Sequence, residues 1–332
     1  MFKKLLFIGF CLVATISISQ TKTLTLKDAV MQQYRTFAPD QMTFFKWIPE
    51  TENYTYLNGY VNLMKGSATE KPTQWFTIAE INTALGSSLN WFSGMEWKDS
   101  KTFWLTDGVN YYTFNTETKT GKKLGAVPEN GENATLDQAT EKVAFTIENN
   151  LSVVDATGKI VVITNNKDKN IVSGQTYARS EFGITNGIFW SPKGTYLAFA
   201  QKDESEVHNY PLLDINTTPG ELQSIKYPMA GQKSEKPKIG IYNFKSKKAV
   251  YISPRGDSDF YLTNVSWSSD ENYLLIAEVN RDQNHMWLNK YDAKSGKFIK
   301  TLFEETNDKW IEPEHPAFFP SKTSTDFITI QL

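Results

Sequence analysis

Short apolar runs recur along this chain, and each is entered through a polar turn. Six of them share a plan: "WIPETENYTYL" from Trp47, "WKDSKTFWL" from Trp97, "LDQATEKVAF" from Leu136, "WSPKGTYLAF" from Trp190, "WSSDENYLLI" from Trp267 and "FPSKTSTDFI" from Phe319. A large apolar residue comes first. A turn of about five residues follows, rich in Pro, Asp, Gly, Asn and Ser, and leads into an apolar or alternating strand. A second set repeats a simpler plan: "YYTFNTETKTGKKL", "LSVVDATGKIVVI", "IGIYNFKSKKAVYI" and "WLNKYDAKSGKFIKTL". In these a strand ends in Asn or Asp, a turn of Lys, Gly or Ser follows, and another strand leaves. Two hairpins in series make a four-stranded antiparallel sheet. A period of about 40–50 residues with four strands per repeat predicts the blades of an all-β fold, a β-propeller. The competing arrangement is a β-sandwich with similar turns. Turns recurring in one order, with aromatic residues at matching offsets, favour the propeller.

The interval between Trp190 and Trp267 is the longest and contains "DESEVHNYPLLDINTTPGELQSIKYPMAGQKSEKP". Such an insertion projects from a rim and is a common place for function. Helix is scarce. "LTLKDAVMQQYRTF" is the one stretch with amphipathic periodicity, placing Leu26, Val30 and Tyr34 on one face. The final repeat, "STDFITIQL", stops inside or just after a strand. About five to six blades are therefore expected, the last incomplete and with an unpaired edge.

The N-terminus changes the picture of where the protein works. Met1-Phe2-Lys3-Lys4 is basic, and Leu5 to Ile16 is an apolar run too short for a bilayer core of about 30 Å. Ser17-Ile18-Ser19 supplies a small-x-small cleavage pattern. Residues 1–19 read as a secretory signal peptide, leaving a propeller domain over 20–332 that is exported to a periplasmic or extracellular space. Cys11 is the one cysteine and lies in that segment, where Phe10 is too large for a lipoprotein cleavage site. Disulfides and thiolate metal sites thus have no part in the mature chain. No later run is long enough to span a membrane, and a net charge of −2 creates no field to gather nucleic acid.

Candidate chemistry is sparse. His208, His285 and His315 have no second His or Cys at metal-ligand spacing. G-x-S-x-G is absent, so no exposed nucleophilic serine is predicted, and a Ser-His-Asp set cannot be nominated. No glycine-rich phosphate cradle occurs either. No catalytic residue, metal or cofactor is expected. The acids Asp203, Glu204 and Glu206, and the pair Glu304 and Glu305, are sequence neighbours in loops and not carboxylates facing across a cleft. "YARSEFGI", residues 177–184, stands apart. It holds Arg179 and Glu181 between a Gly/Ser/Gln turn and the apolar run that starts at Ile188.

"GITNGIFWSPKGTYLAFAQKDESEV" followed by "KYPMAG" resembles the N-terminal propeller of the dipeptidyl peptidase IV family of serine peptidases. "LTLKDAV" is similar to that family's opening segment. "NVSWSSDENYLLIAEVNRDQNHMWLNKYDAKSGK" is similar to a later blade with an R-x-Q-N step, here Arg281-Asp282-Gln283-Asn284. The resemblance runs from about residue 22 to the C-terminus. It implies an eight-bladed propeller that caps an α/β-hydrolase domain, with the serine triad wholly beyond Leu332. It also implies peptides with free N-termini as substrates, release of dipeptides, and dimers.

In that family two consecutive glutamates before the "WSP" strand grip the substrate's α-ammonium group. Glu181 falls in this region as its one acid, while Arg179 and Ser180 stand at other acidic positions. A carboxylate about 4 Å from an ammonium gains about 4 kcal/mol at an effective dielectric near 20. Either Glu181 anchors the amine alone, or Arg179 redirects the preference, or the two form an ion pair across the turn. The family's early-blade arginine for the substrate carbonyl has no counterpart between Trp97 and Leu136, where Lys101, Lys119, Lys122 and Lys123 match no motif. The expected function is a propeller that selects peptide N-termini for a secreted serine exopeptidase. A non-enzymatic binding or scaffold module, or an inactive fragment, is the alternative.

Overall fold

The computed structural model describes residues 23–39, 41–321 and 323–329; the expected signal peptide, with Cys11, lies outside the described residues. The chain divides into two compact units between Thr43 and Phe44. In the first, Asp28–Gln32 forms one wide π-helical turn. Thr25 and Asp28 exchange hydrogen bonds at its start. Leu26, Val30 and Tyr34, expected on one face of an amphipathic segment, are exposed. A single turn is too short to sustain an apolar stripe.

From Thr43 onward the chain is nearly all β. The first sheet contains β1 (Thr43–Trp47), β2 (Asn53–Asn58), β3 (Asn62–Ser67) and β4 (Thr73–Thr77). The second contains β5 (Glu96–Trp97), β6 (Thr102–Thr106), β7 (Asn110–Asn115) and β8 (Thr120–Ala126). The third contains β9 (Glu132–Leu136), β10 (Val143–Ile147), β11 (Asn150–Val154) and β12 (Ile160–Val162). The fourth is β13 (Ile171–Ser173), β14 (Ile188–Trp190) and β15 (Tyr196–Asp203), joined across an inserted hairpin, β16 (Asn209–Asp214) and β17 (Glu221–Lys226), by β18 (Lys236–Asn243) and β19 (Lys248–Tyr251). The fifth is β20 (Tyr261–Trp267), β21 (Tyr273–Val279), β22 (His285–Asp292) and β23 (Phe298–Thr306). These sheets are the blades of a β-propeller. Trp47, Trp97, Leu136 and Trp267 each close the first strand of a blade, and Trp190 closes β14, the strand that enters the turn before β15. Among the described residues the last repeat contributes one isolated bridge, Phe318 to Ile328.

The packing explains why β6 and β15 carry consecutive apolar residues along their length. Phe103 and Leu105 of β6 pack with Leu57, Leu63 and Phe76 of the first blade. Trp104, between them, packs with Val143, Phe145 and Val154 of the third. Leu197 and Phe199 of β15 join Ala144, Leu151 and Val153 of the third blade, whereas Ala198 and Ala200 join Leu274 and Ile276 of the fifth. Alternate side chains leave opposite faces of a strand, and here both faces are covered. A sandwich has one inter-sheet layer; a layer between every successive pair of sheets is what radial stacking requires. Gly240 faces Phe199 across β15 and β18. A Cβ there would sit 2.3 Å from the Phe199 ring, so the blade needs the missing side chain.

One element has no place among the expectations: α1 (Ile78–Leu85), between the first two blades. Thr77 Oγ1 accepts from the Glu80 amide at 3.3 Å and Glu80 Oε2 accepts from the Thr77 amide at 2.7 Å, a reciprocal cap. Gly86 ends the helix at φ +61°, and Ile81 is fully buried. The T-x-x-E spacing and the terminal glycine were its sequence signal.

Candidate functional site

The residues of "YARSEFGI" form a tight, irregular turn between β13 and β14. Ala178, Arg179, Ser180 and Phe182 all have φ between +52° and +68°, in the left-handed region. Glu181 alone in that run is extended, at φ −55° and ψ 146°. Each left-handed non-glycine residue costs about 1–2 kcal/mol, so the surroundings must hold the turn in place.

They do so from three directions. Tyr177, buried at the entry, accepts through its hydroxyl from the Leu262 amide at 2.9 Å and donates to the Leu262 carbonyl. Burial pushes its hydroxyl pKa far above the usual value. The Ala178 amide donates to Glu235 Oε1 at 2.9 Å. The Phe182 ring is buried edge-on to Tyr261, centroids 4.9 Å apart, and the Phe182 carbonyl accepts from Thr263 Oγ1 at 2.7 Å. Gly183 follows at φ +68°, where a Cβ would lie 2.4 Å from the Glu314 carbonyl oxygen. The fifth blade and the insertion together impose the turn that exposes Glu181.

Arg179 and Glu181 do not pair across the turn. The Arg179 guanidinium donates to the Lys226 carbonyl at 3.2 Å and lies 5.1 Å from the centre of the Tyr227 ring. The Glu181 carboxylate accepts from Gln283 Nε2 at 3.3 Å. Gln283 Nε2 also donates to the Tyr261 hydroxyl at 3.1 Å, and Arg281 Nη1 donates to the same oxygen at 2.5 Å. The R-x-Q-N step thus reaches Glu181 from a turn of the fifth blade 102 positions further along the chain.

A cavity of about 550 Å³ opens here, lined by Arg179, Glu181, Tyr227, Glu235, Tyr261 and Arg281 among others. Glu181 also lines a second cavity of about 230 Å³, whose wall carries Gln283, Trp310, Glu312 and Glu314. Ile311 donates through its amide to the Gln283 carbonyl at 2.9 Å, which holds that acidic stretch beside Glu181. The insertion does not stand clear of the site. Its outgoing hairpin exposes Leu213, Ile215 and Leu222, but its return limb supplies Lys226, Tyr227 and Glu235. Glu204, read from the sequence as part of a solvated turn, lines the same cavity and pairs with Lys202 at 2.6 Å. His285 is elsewhere on the fifth blade, 3.1 Å from Glu304 and stacked on Trp287.

Sequence reasoning found Glu181, Arg179 and the R-x-Q-N step but not Tyr261, Glu235, Glu312 or Glu314. Tyr261 opens the strand β20 with no motif around it and gave no signal. Glu312 and Glu314 belong to a stretch with no motif. Among the described residues no helix is long and apolar enough to cross a membrane.

Comparison with known proteins gives these residues a family context. Residues 101–331 match the family model described as "Dipeptidyl peptidase IV (DPP IV) N-terminal region". A protein of Uncinocarpus reesii named "Probable dipeptidyl-aminopeptidase B" is 28% identical over 235 residues, 63% of this chain and 25% of the relative. The same-named protein of Phaeosphaeria nodorum is 28% identical over 243 residues, 64% of this chain and 26% of the relative. This chain thus spans about a quarter of the length of the curated relatives it matches. A crystal structure of a Bacteroides ovatus protein assigned as a dipeptidyl aminopeptidase IV superposes with a TM-score of 0.75 at 34% identity, covering 88% of this chain and 41% of that one. Porphyromonas gingivalis dipeptidyl peptidase 4 shares the fold, with a TM-score of 0.71 at 21% identity over 90% of this chain and 45% of that one.

Proposed function

The chain belongs to the dipeptidyl peptidase IV N-terminal region family, and from that premise we propose that it is the substrate-selecting propeller of an exported serine exopeptidase. Glu181 binds the α-ammonium of a peptide's free N-terminus. By the plan of that family the nucleophile belongs to an α/β-hydrolase domain, and this chain's residues are assigned binding and not bond breaking. The observation that carries the reading is the turn at 178–182. Four left-handed residues present one extended glutamate at a cavity large enough for a dipeptide. Glu312 and Glu314, which line the smaller cavity with Glu181, add negative potential near it, while Arg179 is engaged by Lys226 and Tyr227. Glu181 therefore works without a consecutive acid at position 179 or 180. The same reading gives a homodimer as the assembly, and the apolar hairpin β16–β17 is a surface suited to it.

Glu181→Gln keeps the shape and removes the charge. In the full-length enzyme it raises KM for substrates with a free N-terminus about tenfold or more, with little change in kcat, because the ammonium contact is the same in ground and transition states. An unchanged KM refutes the assignment.

A further inference from the structure

The Tyr261 hydroxyl has a feature that the amine anchor does not use. A phenolic oxygen accepts about two hydrogen bonds and donates one. Both acceptor positions are taken, by Arg281 Nη1 at 2.5 Å and Gln283 Nε2 at 3.1 Å. Its proton has no acceptor among the described residues. Tyr261 is 7% exposed, and it lines the same 550 Å³ cavity as Glu181. The ring is fixed by Phe182 edge-on at 4.9 Å and by the Arg281 guanidinium 5.0 Å from its centre. A hydroxyl that accepts from a guanidinium becomes a stronger donor, since each bond in such a chain polarises the next.

We infer that Tyr261 is a substrate-binding residue whose hydroxyl donates to the first main-chain carbonyl of the bound peptide, with Arg281 and Gln283 as its positioning residues. This rests on the reading that Glu181 takes the adjacent α-ammonium. Gln283 joins the two functions. One of its Nε2 protons goes to Glu181 Oε2 and the other to the Tyr261 oxygen, which fixes the spacing between amine anchor and carbonyl donor. The ammonium and first carbonyl of a peptide are bonded to the same Cα, so a carboxylate and a hydroxyl bridged by one amide nitrogen suit that pair. The site thereby reads the start of a peptide and not an amine alone. It also gives the carbonyl a partner in a chain that has no arginine between Trp97 and Leu136.

The test measures direct binding of two probes to the full chain by isothermal titration calorimetry. One is alanyl-prolinamide. The other is its alkene isostere, in which C=C replaces the alanyl carbonyl carbon and the amide nitrogen, removing the oxygen but keeping the shape and the ammonium. The wild-type chain is expected to bind the dipeptide amide about five- to tenfold more tightly than the isostere. Tyr261→Phe should erase that preference, leaving the isostere's affinity unchanged, and Arg281→Met should reduce it. Glu181→Gln should weaken both probes alike. Equal affinity of the wild-type chain for both probes, or a preference that survives in Tyr261→Phe, overturns the Tyr261 assignment while leaving the amine anchor standing. If Glu181→Gln weakens neither probe, the anchor itself fails. A thermal melt of Tyr261→Phe close to that of the wild type excludes loss of fold as the cause.

Discussion

Glu271 offers a direct test of how the blades are held together. It sits in the turn between β20 and β21 at φ +66°, a left-handed position, and is 5% exposed. Its carboxylate reaches into the matching turn of the preceding blade. Oε1 accepts from Ser191 Oγ at 2.5 Å, from the Lys193 amide at 2.6 Å and from the Thr195 amide at 3.4 Å. Burial alone would raise its pKa, but these bonds outweigh it and hold the group below the usual carboxylate value. Each of the two short bonds is charge-assisted and contributes about 1.5–3 kcal/mol net. Part of the loss is recovered by water entering the turn, so Glu271→Ala is expected to destabilise the fold by about 2–4 kcal/mol. Glu271→Gly loses the same bonds but escapes the left-handed penalty, and should be about 1 kcal/mol less destabilised than Glu271→Ala. Because the folded pKa is depressed, the contribution is complete above the unfolded carboxylate value of about 4.3 and disappears as pH falls through the folded value. The measurement is urea denaturation followed by tryptophan fluorescence at pH 7 and pH 3. Trp267, which opens this turn, stacks on Tyr196 at 5.7 Å and donates to the Phe189 carbonyl, so it reports on the same junction. Wild-type stability in Glu271→Ala, or an Ala variant more stable than the Gly variant, refutes the reasoning.

Two further outcomes follow from the packing. Gly240→Ala should destabilise by about 1–3 kcal/mol, because the new methyl meets the Phe199 ring, and adding Phe199→Leu should recover part of the loss in the same denaturation assay. Glu235→Ala removes the acceptor of the Ala178 amide, so hydrogen exchange in 178–183 should accelerate at least tenfold while the strands of the fourth blade keep their protection.

What the sequence disclosed and what it concealed divide along a physical line. Each blade is two hairpins whose partners are close in the chain, so turn chemistry and runs of apolar residues specify it locally. That is why the openings at Trp47, Trp97, Leu136, Trp190 and Trp267 were readable. The unforeseen α1 was decided by a T-x-x-E cap with a terminal glycine and not by apolar spacing, while at Leu26, Val30 and Tyr34 the apolar spacing is present but the helix is a single turn, too short to sustain a face. The candidate site has no such local signature. Glu181, Tyr261, Gln283 and Glu312 come from separate segments that meet only after the fourth and fifth blades have packed, and two of them look like ordinary strand or loop residues.

The junctions between blades fall between these extremes. Aligning "WSPKGTY" with "WSSDENY" puts Glu271 at the place of Gly194, and both are left-handed, at φ +66° and +67°. Glu141, left-handed at φ +58° in the third blade, reaches back to Lys98 at 2.5 Å and Lys122 at 3.0 Å in the second. At Glu141 and Glu271 an acid in a position that favours glycine thus offsets the strain by binding the previous repeat. By that logic the strained turn around Glu181 belongs to a different class. Its left-handed residues, Ala178, Arg179, Ser180 and Phe182, flank the acid, and the acid itself is extended toward a cavity. The strain at 178–182 serves to present a carboxylate to a ligand, whereas the strain at Glu141 and Glu271 is offset within the protein itself.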